Sequence, residues 1–108
     1  MRKAMSKNRL AIARYIAIDK CMSSGRKYTI DEIKEQVDKV IIDLVGHPVS
    51  IYTVRKDIYD MRDRMLFDAP IKKIRQEDNK VYYSYTYPGY SIFTKNMMLG
   101  FGYNITLT

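Results

Sequence analysis

A helix cannot run through VGHPVS, residues 45–50. Gly46 accepts a left-handed backbone, and the ring of Pro48 blocks helical continuation. Yet the chain carries a helical pattern on both sides of this break. Before it, Ile33, Val37, Val40, Ile41 and Leu44 fall on one helical stripe. After it, Ile51, Val54, Ile58, Met61 and Met65 recur at steps of three and four. The sequence therefore predicts two amphipathic helices that meet across a tight turn, the outline of a helix-turn-helix. Asp31 and Glu32 sit in the first turn of the earlier helix, where negative charge suits the helix dipole. Thr29 or Asp31 can cap that helix, and Ser50 can cap the later one.

A further helix is expected over Lys7–Ser23, with Leu10, Ala13, Ile16 and Ala17 along one side and Gly25 closing it. Past Met65 the helical period disappears. Ile71–Arg75 and residues 80–86 read as two strands joined by the turn QEDN. In the second strand Val81, Tyr83, Tyr85 and Tyr87 alternate with Tyr82, Ser84 and Thr86, which predicts one buried and one exposed face. The expected fold class is α+β, a winged helix-turn-helix of three helices followed by a β-hairpin wing. Residues 1–92 are expected to form this domain. The apolar tail, residues 93–108, is expected to add a strand or to meet a second copy or another partner.

Charge narrows the function. The formal net charge is +7, from 19 Lys and Arg against 12 Asp and Glu. Residues 1–27 hold eight cations and one acid, whereas residues 28–49 hold two cations and five acids. A basic end beside an acidic middle suggests one face turned toward a polyanion. The single cysteine, Cys21, excludes an internal disulfide and fits a reducing cytoplasm. No apolar run approaches the ~18 residues of a membrane span. His47 is the only histidine, and it lies in the turn. With no Gly-rich phosphate loop either, no metal set, cofactor site or enzyme constellation emerges.

The polar side of the helix after VGHPVS is not the mixed acid–base face of an ordinary surface helix. Its first two turns offer Tyr52, Thr53, Arg55, Lys56 and Tyr59. A helix entering the major groove of duplex DNA needs one apolar side to dock on its own domain. Its N-terminal turns must then present hydrogen-bonding and cationic groups. Ser50 can reach a phosphate as well as cap, and a helix N-terminus itself favours one. Asp57, an acid among cations, is expected to pair with Arg55, Arg62 or another cation of the domain. Lys72, Lys73, Asn79 and Lys80 lie in and beside the hairpin, placed for the DNA backbone or minor groove. Arg2, Lys3, Lys7 and Arg9 would add non-specific attraction. The candidate DNA-binding residues are thus Ser50, Tyr52, Thr53, Arg55, Lys56, Tyr59, Lys73, Asn79 and Lys80.

Two other readings use the same residues. Tyr82 and Tyr90 can stack on the bases of a single strand or RNA, although two short strands are a poor platform for that. The hairpin and the apolar tail can instead serve a protein–protein interaction module.

Three segments, RYIAIDKCMSSGRKYTIDEI, VSIYTVRKDIYDMRD and APIKKIRQEDNKVYYSYTYPGYSI, follow one another in this order. Together they resemble the N-terminal domain of WYL-domain transcriptional regulators, especially those of Bacteroidetes-type bacteria. The resemblance runs from about Arg9 to Ile92. Its most specific parts are the Ser50–Asp57–Ile58 pattern and VYYSYTYPGYSI. It implies a DNA-binding winged helix, bacterial and cytoplasmic, acting in transcription regulation as a homodimer. Positions matching Tyr52 and Thr53 in the family usually carry a basic residue and a hydroxyl that face DNA. Tyrosine at position 52 departs from this, so a base preference does not carry over, whereas the docking mode does. Family members usually continue into a WYL domain that senses a ligand and helps dimerisation. This chain has neither the length nor the pattern for one. It reads as the N-terminal domain of a longer protein or as a short stand-alone relative.

Overall fold

The computed structural model describes residues 6–93. Helix α1 spans Lys7–Ser23, strand β1 Tyr28–Thr29, α2 Ile30–Val45, α3 Ile51–Arg62, β2 Ile71–Arg75 and β3 Val81–Tyr85. The three helices and the hairpin thus stand where the sequence predicts them. Strand β1 was not anticipated. It pairs antiparallel with β3 through Tyr28 opposite Tyr83 and Thr29 opposite Tyr82, giving a sheet of order β1-β3-β2. The architecture is α+β, three helices with a small antiparallel sheet, as in a winged helix. Arg2, Lys3 and the tail, residues 94–108, with the extra strand or partner contact expected of it, lie outside the described residues.

Each helix begins on a side-chain cap. Ser6 Oγ accepts from Arg9 N at 3.2 Å and Ser50 Oγ from Thr53 N at 3.1 Å. Thr29 and Glu32 form a reciprocal capping box, with bonds of 2.9 and 3.2 Å. Such caps contribute about 1 kcal/mol each by satisfying amides that the helix leaves open. Helix α2 stops at Gly46, whose φ of 86° is the left-handed conformation that favours glycine. The turn into α3 is also tied back to α2, because Asp38 Oδ1 accepts from Val49 N at 3.1 Å. This link fixes where α3 starts relative to α2.

The inner faces of the helices meet in one core. Ile18 and Met22 of α1, Ile33, Val37 and Ile41 of α2, and Val54, Ile58 and Met61 of α3 are buried together. Ile71, Tyr83 and Tyr85 close it from the sheet, and Ile92 from the chain beyond. A buried acid joins these parts. Asp19 of α1 accepts from Tyr85 Oη, from Ser91 Oγ at 2.7 Å and from Ile92 N at 3.0 Å. Burial, and then its hydrogen bond to Asp19, push the Tyr85 phenol well above its ordinary range. No helix among the described residues is long and apolar enough to cross a membrane.

Five expectations about buried faces need correction. Ile16 is exposed, because α1 buries Ala17, Ile18, Cys21 and Met22, a stripe turned away from Ile16. Val40 is exposed at the flank of the α2 stripe that Val37 and Ile41 centre. Met65 is not part of α3 and is 89% exposed. The helix ends at Arg62, and Asp63 takes over the next turn, its carboxylate accepting from Met65 N at 2.8 Å. Tyr87 does not pack under the hairpin but lies exposed past the end of β3. Ser84, expected on the open face, is buried.

Candidate nucleic-acid interface

Helix α3 turns Val54, Asp57, Ile58 and Met61 inward. Their spacing of three, one and three puts them on one side, so the opposite side is fixed as solvent-facing. Tyr52 stands there 78% exposed and Tyr59 70% exposed, with Arg55 and Lys56 exposed between them. Thr53 is half-buried, and its hydroxyl lies 3.1 Å from Ser50 Oγ at the N-cap. The first turn of α3 therefore presents its open amides beside two hydroxyls, free of any acidic side chain.

The two flanks of this ridge differ. On the α1 flank, Arg14 of α1 donates through Nε and Nη2 to Asp57 at 2.5 and 3.1 Å. Asp57 is 2% exposed. Burial raises its carboxyl above the usual range, and the Arg14 guanidinium works against that shift. The ion pair holds α3 at a set rotation against α1. One turn along, Lys56 Nζ bonds Asp60 at 2.8 Å, and this contact raises the ammonium above its ordinary value. Tyr15 packs edge-on against Phe67 on the same flank, the ring centres 5.1 Å apart.

On the sheet flank lies an open groove. Arg55, Arg62 and Tyr59 of α3 face Lys73 and Tyr83 of the sheet across it. It continues past Lys73, Arg75, Lys80 and Tyr82 to the N-terminus of α2. Two acids border that end, Asp31 and Glu32, and the Glu32 carboxylate is turned to its own N-cap. Among the described residues, Arg55, Arg62, Lys73 and Lys80 form no ion pair. Arg75 is partly committed, since its Nη1 donates to Asn79 O at 2.8 Å and to Asn79 Oδ1 at 3.2 Å.

The wing tip is built by its own side chains. Asn79 holds φ at 68°, a conformation that Asn tolerates better than most residues. Asp78 accepts from Lys80 N at 2.8 Å and from Tyr82 Oη at 2.5 Å, and these bonds hold its carboxyl below the usual range. Asp78 is thus kept ionised, and its negative charge stays at the wing tip beside Lys80.

Of the residues singled out in the sequence, Ser50, Tyr52, Thr53, Arg55, Lys56 and Tyr59 gather on the start and outer ridge of α3. Lys73 and Lys80 join Arg55 at the groove, and Asn79 shapes the turn above it. Lys72 pairs with Ser84 and Lys73 with Tyr83, so alternation puts Lys72 on the face of the sheet away from Lys73. Tyr90 cannot stack on a base, because it is half-buried and packs edge-on against Tyr85 at 4.7 Å. Two groove residues escaped the sequence reading, Arg62 and Arg75. Their signal was positional. Arg62 follows Arg55 by two helical turns, and Arg75 follows Lys73 on the same strand face.

This arrangement fits what comparison with known families returns. The pattern described as the N-terminal winged helix domain of WYL domain-containing proteins matches residues 10–86. No curated protein and no solved structure matches the chain. The family match runs from within α1 through the end of the wing, and the chain belongs to the WYL domain-containing protein family as its N-terminal winged helix domain.

Proposed function

We propose that the chain binds duplex DNA and acts as the sequence-reading part of a transcriptional regulator. The observation that carries this reading is the groove between α3 and the wing. There Arg55 and Lys73 stand with Arg62 toward one end and Lys80, beside Asp31 and Glu32, toward the other, and the four cations make no ion pair among the described residues. Unpaired cations brought together repel one another, so such a groove suits a polyanion that supplies the missing charge. Helix α3 would enter the major groove from Ser50. Tyr52, Thr53, Arg55, Lys56 and Tyr59 would be within reach of base edges or phosphates. Lys73, Asn79 and Lys80 would meet the backbone and position the domain rather than specify sequence. A 12-residue helix is only ~18 Å long and reads few base pairs. Two copies on a symmetric site would give the discrimination that one lacks, so a homodimer on DNA belongs to the proposal. Binding to bacterial DNA would place the protein in the cytoplasm. No catalytic role is assigned.

Selection of bound duplexes from a random DNA pool tests the reading. It predicts enrichment of one motif with two related half-sites, and affinity that falls steeply as salt rises. Failure to enrich any duplex, or an affinity indifferent to salt, would refute it. The latter result would favour an apolar protein interface, to which exposed Ile12 and Ile16 on α1 would contribute.

A further inference from the structure

Tyr52 and Tyr59 are the largest side chains on the outer ridge of α3, and both are mostly in water. Neither ring stacks on another ring, and neither hydroxyl bonds to a group among the described residues. The other tyrosines of the sheet are handled differently. Tyr83 and Tyr85 are buried, and Tyr82 bonds Asp78. Two bare aromatic faces on the helix that fronts a cationic groove are free to meet an apolar counterpart. The major groove displays one such group, the C5-methyl of thymine.

We infer that Tyr52 and Tyr59 read thymine methyl groups on either side of a base met by Arg55. The inference rests on the DNA-binding reading above. Seven residues separate the two tyrosines, so they share a helix face and stand ~10.5 Å apart along the axis. That length corresponds to about three base steps of 3.4 Å. Arg55 projects between them toward the groove, and its fork matches the paired acceptors of guanine. Lys56 lies on the other side of the ridge, toward Asp60. The half-site expected is therefore two thymines about three base steps apart with a guanine at a position between them, on either strand. An arginine alone would specify only the guanine.

The test uses the full chain and the duplex enriched from a random pool. Each thymine of the motif is replaced in turn by deoxyuridine, which removes the methyl and leaves the pairing edge unchanged. Two positions per half-site should each weaken binding about fourfold, the effect of exposing one buried methyl-sized group. In Tyr52→Ala the sensitivity at one of these positions should vanish, and in Tyr59→Ala the sensitivity at the other. Tyr52→Phe and Tyr59→Phe should keep both. Both sites are exposed, so the variants should fold, which circular dichroism checks. Thymines insensitive to methyl removal, or sensitivities that persist in both alanine variants, would overturn the inference. So would their loss in the phenylalanine variants, because the hydroxyl would then be the reader. Failure of any duplex to bind would instead overturn the DNA-binding reading itself.

Discussion

The two flanks of α3 carry similar cations and treat them in opposite ways. Toward α1, Arg14 is paired with buried Asp57 and Lys56 with Asp60. Toward the sheet, Arg55, Arg62, Lys73 and Lys80 share a groove and make no ion pair among the described residues. The difference is one of purpose. Asp57, 2% exposed, must be matched within the protein, because an unmatched charge in low dielectric costs several kcal/mol, whereas the exposed Lys56–Asp60 pair adds little. A charge at an open groove has no such requirement and remains available to something outside. The paired flank holds the helix, and the unpaired flank is where the ligand is proposed to be.

The largest effect should come from breaking the paired flank. Arg14→Ala leaves Asp57 buried without its cation and should cost roughly 3–5 kcal/mol of stability. At 4–8 °C per kcal/mol for a domain of this size, the thermal midpoint should fall by more than ~10 °C. The pH dependence has a definite sign. Burial raises the folded-state pKa of Asp57, and removing Arg14 removes an opposing influence, so it rises further. The penalty is then full above the folded pKa and should shrink as pH falls through it, in a window above the usual carboxylate range. Replacing both partners by apolar residues, Arg14→Met with Asp57→Leu, should recover most of the loss. A single variant as stable as the parent at neutral pH would mean that the ion pair does not hold the helix.

Ile58→Ala probes the same inner face without charge. Ile58 is 4% exposed in the centre of the stripe, and its truncation should cost ~2–5 kcal/mol in a denaturant melt. Any DNA motif enriched by the folded variant should be the parent motif, because no outer residue changes. On the unpaired flank the pattern should invert. Arg55→Ala should leave the thermal midpoint unchanged, since Arg55 is exposed and makes no ion pair among the described residues, yet weaken binding by ~1–3 kcal/mol at one base position. The smallest effect should be Lys56→Ala, whose partner Asp60 lies on its own helix. Its thermal midpoint should not move measurably, and its loss of DNA affinity should be less than that of Arg55→Ala. Equal losses at the two positions would mean that the flanks are not distinguished by DNA.

Much of the fold was legible because it is local. The break at Gly46 and Pro48, the caps at Thr29 and Ser50, and the stripe Val54–Ile58–Met61 each act within a few residues of themselves. What was not legible depends on partners distant in sequence. Strand β1 has two residues, too few for any period, and exists because Tyr28 and Thr29 meet Tyr83 and Tyr82. Met65 continues the apolar spacing of α3, but the Asp63 turn ends the helix first. The partner of Asp57 lies 43 positions away, although an acid within an inward stripe already demanded one. The groove was half legible. The α3 ridge follows from helical spacing, whereas the facing of Lys73 and Arg75, and not Lys72, follows from strand register.

The central claim is that the unpaired flank meets DNA phosphates. The most direct measurement is the slope of log affinity against log salt for the parent and for Lys73→Ala/Lys80→Ala, on specific and random duplexes. Each lost phosphate contact should make the slope shallower by about one unit, so the double variant should differ by about two. Affinity should fall by similar factors on both duplexes, and folding should survive because both lysines are exposed. A folded double variant with the parent's slope would contradict the claim that the groove between α3 and the wing is where DNA binds.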